Sequence, residues 1–176
     1  MTWDSFHRRG EILRAVTTVA DTRRDGLLPM DVAGVRETFG DELSLLAALQ
    51  LKWHTRLAGR IERELSNQPL DLERAVVAAW QRTASELPGI LAIVDHHRAH
   101  PHDAAMAEAM AKSAAKERTL LAVMAGRASA SDAASVRVGE RIEQRARATH
   151  RPQPAPHAER ANRGLLLEKL RAALAA

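Results

Sequence analysis

The sequence predicts an all-α protein, a bundle of about six to eight helices. Apolar residues recur every three to four positions through most of the 176 residues, which is the spacing of one helix face. Aromatic residues make up only 3 % and tyrosine is absent, whereas β-sheet proteins need aromatic and β-branched strands. An all-β fold is therefore excluded.

Seven segments in the first 148 residues show this helical spacing, and each has a recognisable start or stop. They cover residues 3–21, 29–40, 41–66, 71–87, 90–100, 103–125 and 131–148. Asp41 and Asp103 are suitable N-caps because a carboxylate accepts hydrogen bonds from free backbone N–H groups. Pro29 fits the first turn of a helix, where no N–H is needed, and Pro88-Gly89 breaks or kinks the chain.

We expect one helical core domain followed by a C-terminal extension. The core spans residues 1–126, of which residues 1–40 are a candidate for a reduced DNA-binding head. An Arg-rich helix follows at 127–148, a Pro-rich linker at 149–158 and an amphipathic end helix at 159–176. Because a helix this short is rarely stable alone in water, it should dock on this chain or on a partner.

The composition excludes several kinds of site. The absence of cysteine excludes disulfides, thiolate metal ligands and a thiol nucleophile. The N-terminal residues lack the apolar core of a signal peptide, and no run approaches the roughly 18 apolar residues of a membrane span. We therefore expect a cytoplasmic protein that does not contact a membrane.

The basic charge is concentrated towards the C-terminus. Residues 127–176 hold ten of the 26 basic residues but only five of the 22 acidic ones. Such a segment can contact nucleic acid or an acidic partner, although a solvated helix face accounts for the same excess.

Three stretches and one kink carry a resemblance to a known family. The stretches are Arg9-Gly10-Glu11-Ile12-Leu13-Arg14-Ala15, Ala33-Gly34-Val35 and Phe39-Gly40-Asp41-Glu42-Leu43-Ser44-Leu45-Leu46-Ala47-Ala48-Leu49. The kink is Leu87-Pro88-Gly89, with a short helix after it. Together these features resemble the one-domain regulators of the tetracycline-repressor (TetR) family, over roughly residues 15–125.

The resemblance implies a three-helix DNA-reading head and a helical body that binds a ligand and forms a homodimer. In this chain only three residues separate Val35 from Phe39, where the family has a full recognition helix. We therefore expect a reduced head and weak sequence-specific DNA binding. If DNA is bound, the candidate contacts are arginines, chiefly to phosphate. They are Arg8, Arg9, Arg14, Arg23, Arg24 and Arg36.

Five residues on apolar helix faces are candidates for a functional site. Gln50, Trp53 and His54 lie in the stripe of the third predicted helix, and His97 and Glu117 lie in the stripes of two others. Because burial of an unpaired carboxylate is costly, we expect Glu117 to have a partner such as arginine, histidine or a metal.

Three interpretations of these residues are open. In the first, His54 and Glu117 form a structural hydrogen bond or ion pair. In the second, the five residues are the lining of a pocket for a small-molecule ligand. In the third, imidazole and carboxylate groups bind a divalent metal, since bundle cores hold such sites. The candidate metal ligands are His54, His97, His100 and Glu117.

No catalytic pattern is recognisable, because a phosphate-binding loop, a dinucleotide-binding glycine motif and a Ser/His/Asp arrangement are all missing. We expect a non-enzymatic TetR-like regulator, or a homodimer that binds a ligand or partner, without a cofactor. One alternative is a metal-binding bundle that acts as a metal sensor or an oxidoreductase. Another is an interaction protein that docks through its C-terminal helix.

Overall fold

A computed structural model describes residues 3–129 and 132–151, and these residues form seven α-helices. The helices are α1 (Trp3–Arg23), α2 (Val35–Phe39), α3 (Glu42–Ser66), α4 (Leu72–Glu86), α5 (Pro88–Ala99), α6 (Ala104–Met124) and α7 (Ala133–Thr149). The described part of the chain contains no strand, so the predicted all-α class is confirmed. The predicted linker beyond Arg151 and the end helix at 159–176 lie outside the described residues.

The helix starts follow from capping side chains. Asp41 and Asp103 accept hydrogen bonds from the backbone N–H groups of Ser44 and Met106, each at 2.7 Å, as predicted. At the start of α7, Asp132 and Ser135 exchange reciprocal hydrogen bonds in a capping box. Each cap satisfies donors that the first helical turn leaves free.

Two predicted boundaries were wrong. The second helix begins at Val35 rather than near Pro29, because Gly34 has φ +82°, a left-handed conformation that interrupts a right-handed helix. The fifth helix begins at Pro88 rather than Ile90, because proline occupies its first turn. Only Leu87 separates α4 from α5, so the predicted kink is confirmed.

The helices pack largely as neighbouring pairs. Arg60 of α3 contacts Glu86 at 2.7 Å, while Glu64, one turn later, pairs with the earlier Arg82 of α4, so α3 and α4 are antiparallel. The α6–α7 pair makes the most extensive contact, and α1 packs chiefly on α5. The core between these pairs is apolar and includes fully buried leucines of α3 and Trp80.

None of the described helices is both long enough and apolar enough to cross a membrane.

Candidate functional site

The carboxylate of Glu117 is a polar centre within the bundle. Its side chain is 4 % exposed. The indole Nε1 of Trp53 donates to Oε2 at 3.0 Å, and the indole Nε1 of Trp80 donates to Oε1 at 3.1 Å. His54 Nε2 lies 3.1 Å from Oε2. Each carboxylate oxygen therefore has a donor, which offsets the cost of burying the charge.

Three helices bring this cluster together. Trp53 and His54 are adjacent on α3, about 100° apart around the helix, so Trp53 points inward while the His54 side chain remains 26 % exposed. Trp80 comes from α4, and its ring meets that of Trp53 edge to face at 5.9 Å. A buried tryptophan needs an acceptor for its N–H, which is the signal that could have linked both indoles to Glu117.

The cluster has the character of a closed structural site. The Glu117 oxygens already accept from indole donors, and Gln50 Nε2 lies 2.9 Å from the sulfur of Met110. Four cavities among the described residues are lined by side chains other than these. The predicted His54–Glu117 contact is confirmed, and the geometry favours the structural interpretation over a ligand pocket at this place.

His97 and His100, at the end of α5, lie near the start of α3, whereas His54 is at the middle of that helix. The His97 ring is 5.2 Å from that of His102, and His102 Nδ1 lies 2.9 Å from Glu42 at the start of α3. His54 is twelve residues further along α3, or about 18 Å at 1.5 Å per residue. The structure thus brings Gln50, Trp53, His54 and Glu117 into one region and separates His97 and His100 from them. The described residues contain no group of three or more His, Asp or Glu arranged to hold a metal ion.

His97 is buried with both ring nitrogens unpartnered among the described residues. Burial lowers the pKa of His97, and the neighbouring His96 and His102 lower it further, against a smaller opposing effect of Glu42. The ring is therefore neutral in the folded protein near pH 7.

A second buried carboxylate, Glu143 of α7, was missed by the sequence analysis. It accepts hydrogen bonds from Arg98 at 2.8 Å, Arg118 at 3.0 Å and Arg147 at 2.9 Å. Burial alone would raise the pKa of Glu143, but the three guanidinium groups outweigh it and hold the pKa below its ordinary value. The Arg-rich composition of α7 suggested an exposed helix, which concealed this network that links α5, α6 and α7.

Half of the six candidate DNA-contacting arginines bind the protein itself. Arg9 donates to the Thr38 carbonyl at 3.4 Å and lies over the Phe39 ring. Arg23 pairs with Asp31 at 2.6 and 2.9 Å, and Arg24 donates to a backbone carbonyl of α1. The other three side chains are exposed. They are Arg8, Arg14 and Arg36.

A groove of about 630 Å³, here called the α3 groove, runs along the outer side of α3 between α1 and the end of α4. Its apolar lining includes Leu13, Leu51 and Leu87, and Leu51 is 67 % exposed. Glu86 is the one carboxylate in the lining, against four cations of α3 that recur at every third or fourth residue. These cations are Lys52, Arg56, Arg60 and Arg63.

The cations of the α3 groove differ in how they are held. Glu86 pairs with both Arg56 and Arg60. Lys52 donates to the Thr17 hydroxyl at 2.8 Å, and burial lowers the pKa of Lys52. Arg63 is exposed and has no partner among the described residues. The groove therefore combines an exposed leucine with an excess of positive charge.

Comparisons with family models, with curated proteins and with solved structures gave no match for this chain.

Proposed function

We propose that this chain is a cytosolic, non-enzymatic helical binding protein whose α3 groove takes an anionic, amphiphilic ligand or partner. The observation that carries the proposal is the row of four cations beside exposed Leu51, with a single carboxylate in the lining. An apolar group that covers Leu51 removes apolar surface from water, and an acidic group pairs with the cations. An amphiphilic anion meets both requirements.

A TetR-like regulator is the second candidate setting for such a groove. The order of α1, α2 and α3, and the single residue between α4 and α5, favour it. In that setting the groove belongs to the ligand-binding body, and homodimer formation is part of the proposal. The α2 helix has only five residues, and two residues separate it from α3, which favours weak sequence-specific binding of DNA.

The proposal is tested with two probes that share an apolar tail and differ in the sign of their charge. Laurate and dodecyltrimethylammonium are each titrated into the full chain by isothermal calorimetry, below their micelle concentrations. We expect laurate to bind more tightly, and added salt to weaken its binding because Arg56 and Arg63 are exposed to solvent.

Two charge reversals locate the binding. Arg63→Glu should weaken laurate binding by about fivefold, or roughly 1 kcal/mol, because an exposed ion pair is lost and a repulsion is added. Arg137→Glu, on the exposed side of α7, is the matched control and should leave binding unchanged. Equal binding of the two probes, or equal effects of the two variants, would contradict the proposal.

A further inference from the structure

The geometry points to an acidic amphipathic helix of a partner protein as the occupant of the α3 groove. This inference rests on the proposed function and makes it specific. Three features of the groove carry it: the length of the cation row, the shape of the apolar surface and the sign of the charge.

The length of the row favours several carboxylates over one. Lys52 and Arg63 are eleven residues apart on α3, or about 16 Å, which corresponds to three helical turns. Carboxylates three or four residues apart on a partner helix lie about 6 Å from one another on one face, so they match the spacing of the cations. A fatty carboxylate carries a single charge and can contact only one part of this row.

The apolar surface has the shape that a packed helix needs. Leu51 projects from α3, and two turns later Gly59 lines the same groove with no side chain. A Cβ at Gly59 would meet nothing within 4 Å, so the position is an open notch. A glycine inside a helix costs about 1 kcal/mol relative to alanine, whereas a notch lets a large apolar side chain of a partner approach the α3 backbone.

The sign of the charge favours an acidic partner helix over the C-terminal segment of the same chain as the occupant of the groove. Residues 159–176 contain four basic and two acidic side chains, so their net charge has the same sign as that of the groove. An acidic helix from another protein complements the groove in both charge and apolar surface. Duplex DNA offers the charge but no flexible apolar face for Leu51.

The test compares synthetic peptides of about 15 residues by fluorescence anisotropy with the full chain. The acidic peptide carries Glu at i, i+4 spacing on one face, Leu on the adjacent face and Ala elsewhere. One control replaces every Glu by Lys, and another scrambles the same composition so that no amphipathic helix forms. We expect the acidic peptide to bind at least about tenfold more tightly than either control and more tightly than laurate, and to gain helical circular dichroism when bound.

Paired variants locate the peptide on the protein. Arg63→Glu and Leu51→Ala should weaken binding by about fivefold and threefold. Arg137→Glu and Leu70→Ala are the matched controls, because each changes an exposed side chain of the same type outside the groove. Neither control should change peptide binding. All four positions are exposed, so the melting temperatures of the four variants should be close to that of the parent protein.

The outcomes distinguish this inference from the proposed function. If laurate binds in an Arg63-dependent way and the acidic peptide does not, the inference is overturned and the proposed function stands. If neither binds in that way, both are overturned. The inference is also overturned if the scrambled peptide or duplex DNA binds as tightly as the acidic peptide. It is overturned as well if the peptide binds only after deletion of residues 159–176, because that segment would then occupy the groove. Dissociation of a homodimer by Arg63→Glu would overturn it too, because a second copy of the chain would then be the occupant.

Discussion

Glu117 and Glu143 are both buried carboxylates, but their partners differ in charge. Two neutral indoles and the edge of an imidazole surround Glu117, whereas three guanidinium groups surround Glu143. His97 represents a third case, a buried polar ring without a partner among the described residues. Since unpaired buried polar groups cost free energy, substitution should weaken the fold at the two carboxylates and not at His97.

Glu117→Gln should lower the free energy of unfolding by about 2 kcal/mol. Glutamine keeps one acceptor oxygen and replaces the other with an NH₂ donor, so one of the two indole N–H groups loses its acceptor. Urea unfolding followed by circular dichroism measures the loss. Glu62→Gln, at an exposed position of α3, is the matched control and should be within about 0.5 kcal/mol of the parent.

His54→Gln should cost less than Glu117→Gln, because the His54 side chain is partly exposed and water can replace its contact. A Glu117→Gln protein as stable as the parent would show that the indole contacts do not stabilise the bundle.

At the scale of helices, two close approaches depend on glycine. A Cβ at Gly139 of α7 would lie 1.8 Å from the Arg118 carbonyl oxygen of α6, and a Cβ at Gly89 of α5 would lie 2.2 Å from the Ala20 backbone of α1. These distances are far shorter than a van der Waals contact, and backbone atoms cannot turn aside as a flexible side chain can. The α6–α7 and α1–α5 pairs are therefore set by residues without a side chain.

Gly139→Ala should lower the free energy of unfolding by about 2 kcal/mol or more, because α6 and α7 must move apart to admit the methyl group. Gly59→Ala is the matched change in the open notch of α3, and should raise it by about 0.5–1 kcal/mol through helix propensity. Thermal and urea unfolding of the two variants measure both effects. Equal effects at the two positions would contradict the close approach at Gly139.

The stability of the whole molecule should depend on pH through groups that titrate in different ranges, and the two most deeply buried of these are His97 and Glu143. The pKa of His97 is lowered by burial from its ordinary value of 6.5, so below that pH the unfolded chain takes up a proton before the folded one does. Burial and three arginines leave the pKa of Glu143 below its ordinary value of 4.5, which acts in the same direction at lower pH. Both groups therefore contribute stability that is lost as the pH falls.

We expect the free energy of unfolding to decrease as the pH falls below about 6.5 and to decrease more steeply below about 4.5. His97→Leu should reduce the first decrease, to which His150 also contributes because burial and Arg147 lower its pKa. The same variant should stabilise the protein near pH 7, because it removes two unpartnered ring nitrogens. Glu143→Gln should reduce the second decrease while it lowers stability at pH 7 by about 3 kcal/mol, since three half-buried arginines lose the carboxylate that they share. Urea unfolding between pH 8 and pH 3 measures these changes, and an unaltered pH profile in either variant would contradict its assigned group.

The amino-acid sequence by itself determined the helical class, most helix ends and the burial of Glu117 and His97. These properties follow from hydrogen bonds and periodicity within a few residues, as the caps at Asp41 and Asp103 illustrate. The misplaced start of α2 also has a local cause, the backbone of Gly34, but the left-handed conformation of a glycine is not readable from its neighbours.

The tertiary structure alone decided which side chains meet. Trp53, Trp80 and Glu117 lie on three helices, and the pattern of each helix shows which face is buried but not which residues face it across the core. For the same reason His54 and His97, alike in their apolar stripes, lie apart: His54 is at the middle of α3, and His97 is near its start. The cations of α3 line a groove only because α1 and the end of α4 flank them, since the crossing of helices depends on contacts far apart in the chain.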